Sequence, residues 1–258
     1  GFFRRYLSQY TIFSPRCHKH LRWKGLIHVM VYITGDMHAD FSRFSAPEMR
    51  PLKRGDTLIV CGDFGFLWSG GRAEQKVLKK LTQLPYTILF LDGTHENFDL
   101  LRDYPVIEWN GGRVQEIRAN IRHLLRGEIY EIENETYFAF GGGETADPSL
   151  RTETATWWEE EMPSEEEMLH GLKTLESHGN RVDYILTHEP SGKACTYSGG
   201  PNARLDGINI YLNQIEDKVQ FERWFFGSLH LDKVLSKRHL AVFRKVIPVH
   251  PAANRRRR

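Results

Sequence analysis

Five short apolar runs punctuate this chain, and each stops abruptly at a polar turn. Residues 29–38 read VMVYITGDMH, residues 56–65 DTLIVCGDFG and residues 86–96 YTILFLDGTHE. Farther on, VDYILTHEP at 182–190 and RWFFGSLH at 223–230 follow the same design. Runs of this length, rich in branched and aromatic residues and closed by Gly, Asp or His, predict buried strands. Between the second and third runs, Val77, Leu78, Leu81 and Leu84 fall at helical spacing. Strands that alternate with polar turns and helical stretches predict βαβ units and a largely parallel sheet.

After Pro105 the pattern changes. Strand-like segments follow at Ile121–Leu125, Ile129–Ile132 and Thr136–Phe140, the last two joined as a hairpin about Glu133-Asn134. Ser164 and Glu167 form a capping box that opens a helix to about Ser177. Residues 240–249, LAVFRKVIPV, predict one closing strand. The Gly-, Ser- and Asn-rich stretch 192–209 predicts a long surface loop, and Trp157-Trp158 with the acids after them the start of a surface helix.

Composition narrows the class. The chain has 258 residues, 40% of them hydrophobic and 26% charged, enough for a sizeable core in one large domain or two small ones. Nothing approaches 18 consecutive apolar residues, so no transmembrane span is expected. Cys17, Cys61 and Cys195 are scattered, which argues against a disulfide framework and for a reducing, cytoplasmic location. The net charge of +2 hides an uneven distribution: Arg4, Arg5, Arg16, Lys19, Arg22 and Lys24 occur in residues 1–29 without an acid, and Arg255 to Arg258 close the chain. The expected organisation is a basic, disordered extension over 1–29, one domain over 30–250, and a basic tail over 251–258. No apolar core follows the first arginines, so a signal peptide is not expected. Nucleic-acid binding through the basic ends is the weaker reading beside a solvated extension.

The chemistry gathers at the strand tips. They are Gly35-Asp36-Met37-His38, Gly62-Asp63, Gly93-Thr94-His95-Glu96, Thr187-His188 and Gly227-Ser228-Leu229-His230. Imidazole and carboxylate together suit first-row transition metals. Asp36 and His38, two apart, emerge on one side of an extended segment and form a chelating pair. Asp63-Phe64-Gly65 is not a kinase signature, because no glycine-rich loop or H-R-D loop accompanies it. The GGGE at 141–144 lacks the Lys-Ser/Thr of a phosphate-binding loop.

In this order the tips resemble the calcineurin-like metallophosphoesterases, whose pattern is D-x-H, G-D, G-N-H-[DE], H and G-H-x-H. The resemblance runs from Met30 to about His250. It implies an α/β fold, a four-layer α/β/β/α sandwich of two mixed sheets. Carried over residue by residue, it implies a first divalent ion held by Asp36, His38, Asp63 and His230, and a second held by Asp63 and His188. Where the family has the Asn of G-N-H this chain has Thr94, and where it has the first His of G-H-x-H the chain has Ser228. Hydroxyls are poor donors to transition metals. One tight ion (Mn²⁺, Fe²⁺, Zn²⁺ or Ni²⁺) and a weaker second are therefore expected, with a nearby carboxylate able to compensate. His95 takes the place of the family's general acid at the leaving oxygen. The implied activity is hydrolysis of phosphomonoesters or phosphodiesters by a metal-activated hydroxide. The alternative is a degenerate relative that keeps the fold, with one ion or none, as a binding or scaffold protein.

Overall fold

Alternate side chains of the central strands divide between two faces, and both faces are buried. The computed structural model of the chain describes residues 29–144, 158–197 and 207–250. The basic ends and Trp157 lie outside the described residues, so the expectations placed on them are not addressed by the fold. Three strands, β1 (Val31–Gly35), β2 (Thr57–Cys61) and β3 (Thr87–Phe90), pair in parallel, with α1 (Arg72–Leu81) between β2 and β3. Two short 3-10 turns, Phe41–Ser45 and Pro47–Met49, connect β1 to β2. After α2 (Phe98–Arg102), an antiparallel set follows: β4 (Val106–Trp109), β5 (Gly112–Arg118) and β6 (Ile121–Leu124).

A second sheet begins with the expected hairpin, β7 (Glu128–Ile132) and β8 (Glu135–Phe140). Its turn residues Glu133 and Asn134 both have positive φ, 53° and 64°, the backbone a tight two-residue hairpin requires. The chain continues through α3 (Glu165–Ser177), β9 (Tyr184–Thr187), α4 (Gly192–Tyr197), α5 (Gly207–Lys218) and β10 (Arg223–Phe226). It ends with β11 (Lys233–Val234), β12 (His239–Ala241) and β13 (Ile247–Pro248). One sheet has the order β13-β1-β2-β3-β6-β5-β4 and the other β11-β12-β10-β9-β8-β7.

Three apolar clusters show how the layers stack. Leu58, Val60, Ile88 and Phe90 pack outward against Leu78 and Leu81 of α1 and Leu101 of α2. Their neighbours Ile33, Ile59, Cys61 and Leu89 pack inward against Tyr137, Ala139, Tyr184, Leu186 and Phe225 of the second sheet. On the far side, Phe138, Phe140, Ile185, Trp224 and Phe226 meet Leu175 of α3 and Leu212 and Ile215 of α5. The result is helix, sheet, sheet, helix: the expected four-layer sandwich. Burial on both faces is why these strands read as unbroken apolar runs.

Two expectations need correction. The single closing strand is in fact β12 in the second sheet and β13 in the first. Between them the Asp232 carboxylate accepts hydrogen bonds from the backbone N–H groups of Phe243, Arg244 and Lys245, which turns the chain from one sheet to the other. The predicted loop 192–209 begins with α4 and overlaps the start of α5. Ser191 Oγ accepts from Ala194 N at 3.0 Å as α4 begins, and Ala194 and Cys195 are buried.

The capping box at α3 is present in both directions. Ser164 Oγ accepts from Glu167 N at 3.2 Å, and Glu167 Oε2 accepts from Ser164 N at 2.8 Å. Ser164→Ala is expected to cost about 1 kcal/mol. By calorimetry that is a fall in melting temperature of roughly 2–4 °C.

The parallel strands of both sheets end at the same edge. A Cβ on Gly227, just after β10, would lie 2.2 Å from the carbonyl oxygen of Cys61 at the end of β2. The two sheets touch there, which brings all five polar tips to one place.

Candidate metal centre

Left-handed backbone marks these tips. Asp36 has φ 31°, His38 46°, Asp63 48°, Ser228 50° and His230 49°. Each such non-glycine residue costs on the order of 1–3 kcal/mol and persists only where the surrounding structure over-determines the backbone, as it does most often at functional sites. Asp36 and His38 therefore do not converge by strand pleat, as their spacing suggests. β1 has already ended at Gly35, and the chain folds sharply through both residues.

Asp36, His38, Asp63 and His230 come together, each offering one ligand atom, and these atoms all lie within 4.8 Å of one another. His38 Nε2 and His230 Nε2 are 3.0 Å apart. Asp36 Oδ1 accepts from Ser228 N at 3.3 Å, whereas Asp36 Oδ2 is buried with no hydrogen-bond partner. A buried carboxylate oxygen left unsatisfied is rare and calls for a partner. Two imidazoles and two carboxylates at this spacing fit a divalent first-row cation.

The electrostatics agree. Burial pushes the Asp36 carboxyl up to about 7, against the pull of His188. Burial acts on Asp63 in the same direction, but His188, His95 and His38 outweigh it and hold that carboxyl well below its usual range. His188 is fully buried, which lowers its basicity, yet Asp63, Asp36 and Glu189 raise it to about 10. The buried carboxylates thus favour positive charge at this place, which a divalent cation would also supply. Seating His188 requires two glycines. At Gly62 (φ 89°) a Cβ would lie 1.9 Å from His188 Nδ1, and at Gly93 it would lie 2.9 Å from His188 Nε2 and 2.2 Å from Asp63 Oδ1.

Asp63 also fixes His95. Its Oδ1 accepts from the backbone N–H groups of Thr94 (2.6 Å) and His95 (3.0 Å), and its Oδ2 lies 2.9 Å from His95 Nδ1. The ring is held through Nδ1, and the side chain is 39% exposed.

The remaining predicted residues sit beside the four-residue group. His188 Nε2 is 3.6 Å from Asp63 Oδ1. Thr94 Oγ1 is 3.3 Å from His95 Nδ1, and Ser228 Oγ donates to Glu189 Oε2 at 3.1 Å. A Cβ on Gly143 would meet Glu189 Oε1 at 3.1 Å and both His188 Cδ2 and Thr94 Cγ2 at 3.2 Å. Glu189 is therefore a carboxylate next to His188, Thr94 and Ser228, the residues expected around a second ion.

Two supporting residues carry no role in the sequence reading. Glu96 is fully buried: Oε1 accepts from Phe64 N at 2.6 Å and Oε2 from Gly93 N at 2.7 Å, joining the Asp63 turn to the His95 turn. Burial, then the nearby Asp63, raises its carboxyl to about 8. Its signal is visible in sequence as the acid directly after His95. Arg43 donates to the carbonyls of Gly35 and Asp36, both at 2.7 Å, and to that of Phe243 at 2.6 Å. No motif announces it.

Residues 29–231 match the family model described as calcineurin-like phosphoesterase. The chain belongs to that family. The solved structures similar to it include the following two. One is a putative 5'-nucleotidase from Staphylococcus aureus in complex with alpha-ketoglutarate, at 14% identity and a TM-score of 0.46, with 87% of this chain and 55% of that chain covered. The other is phosphopantetheinyl hydrolase from Mycobacterium tuberculosis, at 12% identity and a TM-score of 0.37, with 83% and 89% covered. The chain spans about half the length of the first of these. No curated protein matches it. Among the described residues no helix is long and apolar enough to cross a membrane. Asp36, His38, Asp63 and His230, the four residues expected to hold the first ion, are those that form the candidate metal-holding group.

Proposed function

We propose that this phosphoesterase-family chain is a metal-dependent hydrolase of phosphomonoesters or phosphodiesters. The observation that carries the reading is the convergence of four ligand atoms around an unpartnered buried oxygen of Asp36, beside a histidine fixed by the same Asp63. Asp36, His38, Asp63 and His230 would hold the tight ion, and Asp63 with His188 a weaker one. When bound, the ions neutralise phosphoryl charge and provide a nucleophile at neutral pH.

The chain's own residues do the rest. Asp63 orients His95 through Nδ1. His95 Nε2 then gives its proton to the leaving oxygen as the bond from that oxygen to phosphorus breaks. Arg43 and Glu96 hold the turns on which these groups sit. Chelation is expected to abolish cleavage of aryl phosphate esters, and Mn²⁺ or a similar ion to restore it. Activity that survives complete chelation argues for a different chemistry.

The two ion positions are expected to be unequal. Neutral hydroxyls stand at Thr94 and Ser228, so the second ion is recruited chiefly with substrate. Thr94→Asn combined with Ser228→His should raise the bound metal towards two ions per chain and increase turnover at low metal concentration. Wild-type protein that already keeps two ions per chain through long dialysis runs against this.

A further inference from the structure

A cavity of about 370 Å³ opens directly beside His38 and His95. Its walls are Ala39, Gly65, Phe66, Trp68, Ala73 and Val77, carbon surface for the most part. Besides the two histidines, the polar residues on its rim, Ser69 and Glu74, are committed to the loop that forms it. Glu74 Oε2 accepts from the backbone N–H groups of Trp68 and Ser69, both at 2.8 Å, and from Ser69 Oγ at 3.2 Å. Glu74 Oε1 accepts from Gly70 N at 3.0 Å, and Ser69 Oγ in turn accepts from Gly71 N at 3.1 Å.

Trp68 is held in place from three directions. Its carbonyl accepts from Asn97 Nδ2 at 2.8 Å, and the preceding carbonyl of Leu67 accepts from Asn97 N at 3.1 Å. Asn97 follows His95 by two residues, so one short segment fixes both the histidine and the tryptophan. The Trp68 ring meets Trp158 edge-on at 5.4 Å, and Trp158 Nε1 donates to Asp99 Oδ2 at 2.9 Å. The ring centroid of Trp68 is 6.5 Å from that of His95.

We infer that this cavity receives the leaving group of the phosphoester and selects a flat aromatic one, with Trp68 as the specificity-determining residue. The inference rests on the reading of His95 as the group that protonates the leaving oxygen. A proton delivered by His95 places the leaving oxygen within its reach, and whatever that oxygen carries extends into the space His95 borders. That space offers apolar surface and a fixed aromatic ring, and no charged side chain that is not already engaged. Its volume exceeds the roughly 150 Å³ that encloses benzene. It lies near the low end of ligand pockets, about 300–1,000 Å³, so one ring or two fused rings fit. Stacking of a nucleobase on an aromatic side chain changes affinity by roughly fivefold to a hundredfold or somewhat more on alanine substitution, and a flat aromatic leaving group on Trp68 falls in the same class of contact.

The test compares kcat/KM for 1-naphthyl phosphate and glycerol phosphate in metal-loaded wild type, Trp68→Ala, Trp68→Phe and Ala73→Leu. Each ester carries its own leaving-group acidity into every variant, so a change in the ratio reads the cavity alone. Trp68→Ala is expected to lower the naphthyl value at least tenfold more than the glycerol value, chiefly through KM, and Trp68→Phe to recover most of the preference. Ala73→Leu removes no loop contact and narrows the cavity; it should shift the ratio in the same direction. Equal losses on both esters in all three variants overturn the inference, because Trp68 then serves only to hold its loop. If wild type cleaves neither ester, the hydrolase reading fails separately. Calorimetric titration with 1-naphthyl phosphate then decides the cavity: binding weakened by Trp68→Ala supports it, and no binding ends it.

Discussion

His95→Ala is expected to lower kcat for an alkyl phosphate ester by about 10²–10⁴-fold, the usual contribution of a positioned acid. A nitrophenyl ester should lose far less, because its leaving group departs as an anion without a proton. The contrast follows from the placement of His95, whose Nδ1 lies 2.9 Å from Asp63 Oδ2 while the side chain is partly open to solvent. His95 is outside the group of four ligand residues, so bound metal per chain should not change in the variant. Equal losses on both esters would assign His95 to charge stabilisation rather than proton transfer.

The largest effect on stability is expected from Arg126→Met. Arg126 and Asp92 are among the most deeply buried charges described, with side chains 5% and 1% exposed. Arg126 Nε donates to Asp92 Oδ2 at 3.0 Å and Arg126 Nη1 to Glu167 Oε2 at 3.0 Å, while His123 Nε2 lies 3.0 Å from Asp92 Oδ1. Removing one partner strands a buried charge, at a cost of about 3–5 kcal/mol. For a chain of this size that is a fall in melting temperature of roughly 10 °C. The pH dependence has a definite sign. Burial would raise the Asp92 carboxyl, but Arg126 and His123 outweigh it and hold the folded value well below the ordinary one. A depressed carboxyl stabilises fully above the unfolded value near 4 and loses that contribution as pH falls below it. Wild type should therefore lose stability on acidification below about pH 4, and Arg126→Met should lose less over the same range. Parallel acid profiles would show that Asp92 is not the source.

The strand tips were legible in the sequence because a run buried on both faces has no polar alternation to blur it. Asp36, Asp63, His95, His188 and His230 each follow such a run, and the fold brings them to one edge. What eluded the sequence was of two kinds. Backbone direction at the tips depends on left-handed turns that no residue type dictates, so Asp36 and His38 look like an extended pair and are not one. Long-range partners have no local spacing: Arg43 reaches Phe243, and His123 and Arg126 meet Asp92 from another part of the chain. Strand β4, half-exposed, and β5, whose buried Val114 and Ile117 are interrupted by Arg113, Gln115, Glu116 and Arg118, give too weak an apolar pattern to be read in advance.

The most direct test of the hydrolase reading follows turnover of a nitrophenyl monoester and a bis-nitrophenyl diester while Mn²⁺ is titrated into chelator-stripped protein and bound ion is counted at each step. The expected result is no turnover in the metal-free chain, then activity on at least one ester that rises with occupancy, with Asp36→Asn inactive throughout. Folded, ion-loaded wild type that cleaves neither ester, or metal-free protein that works at full rate, would contradict it.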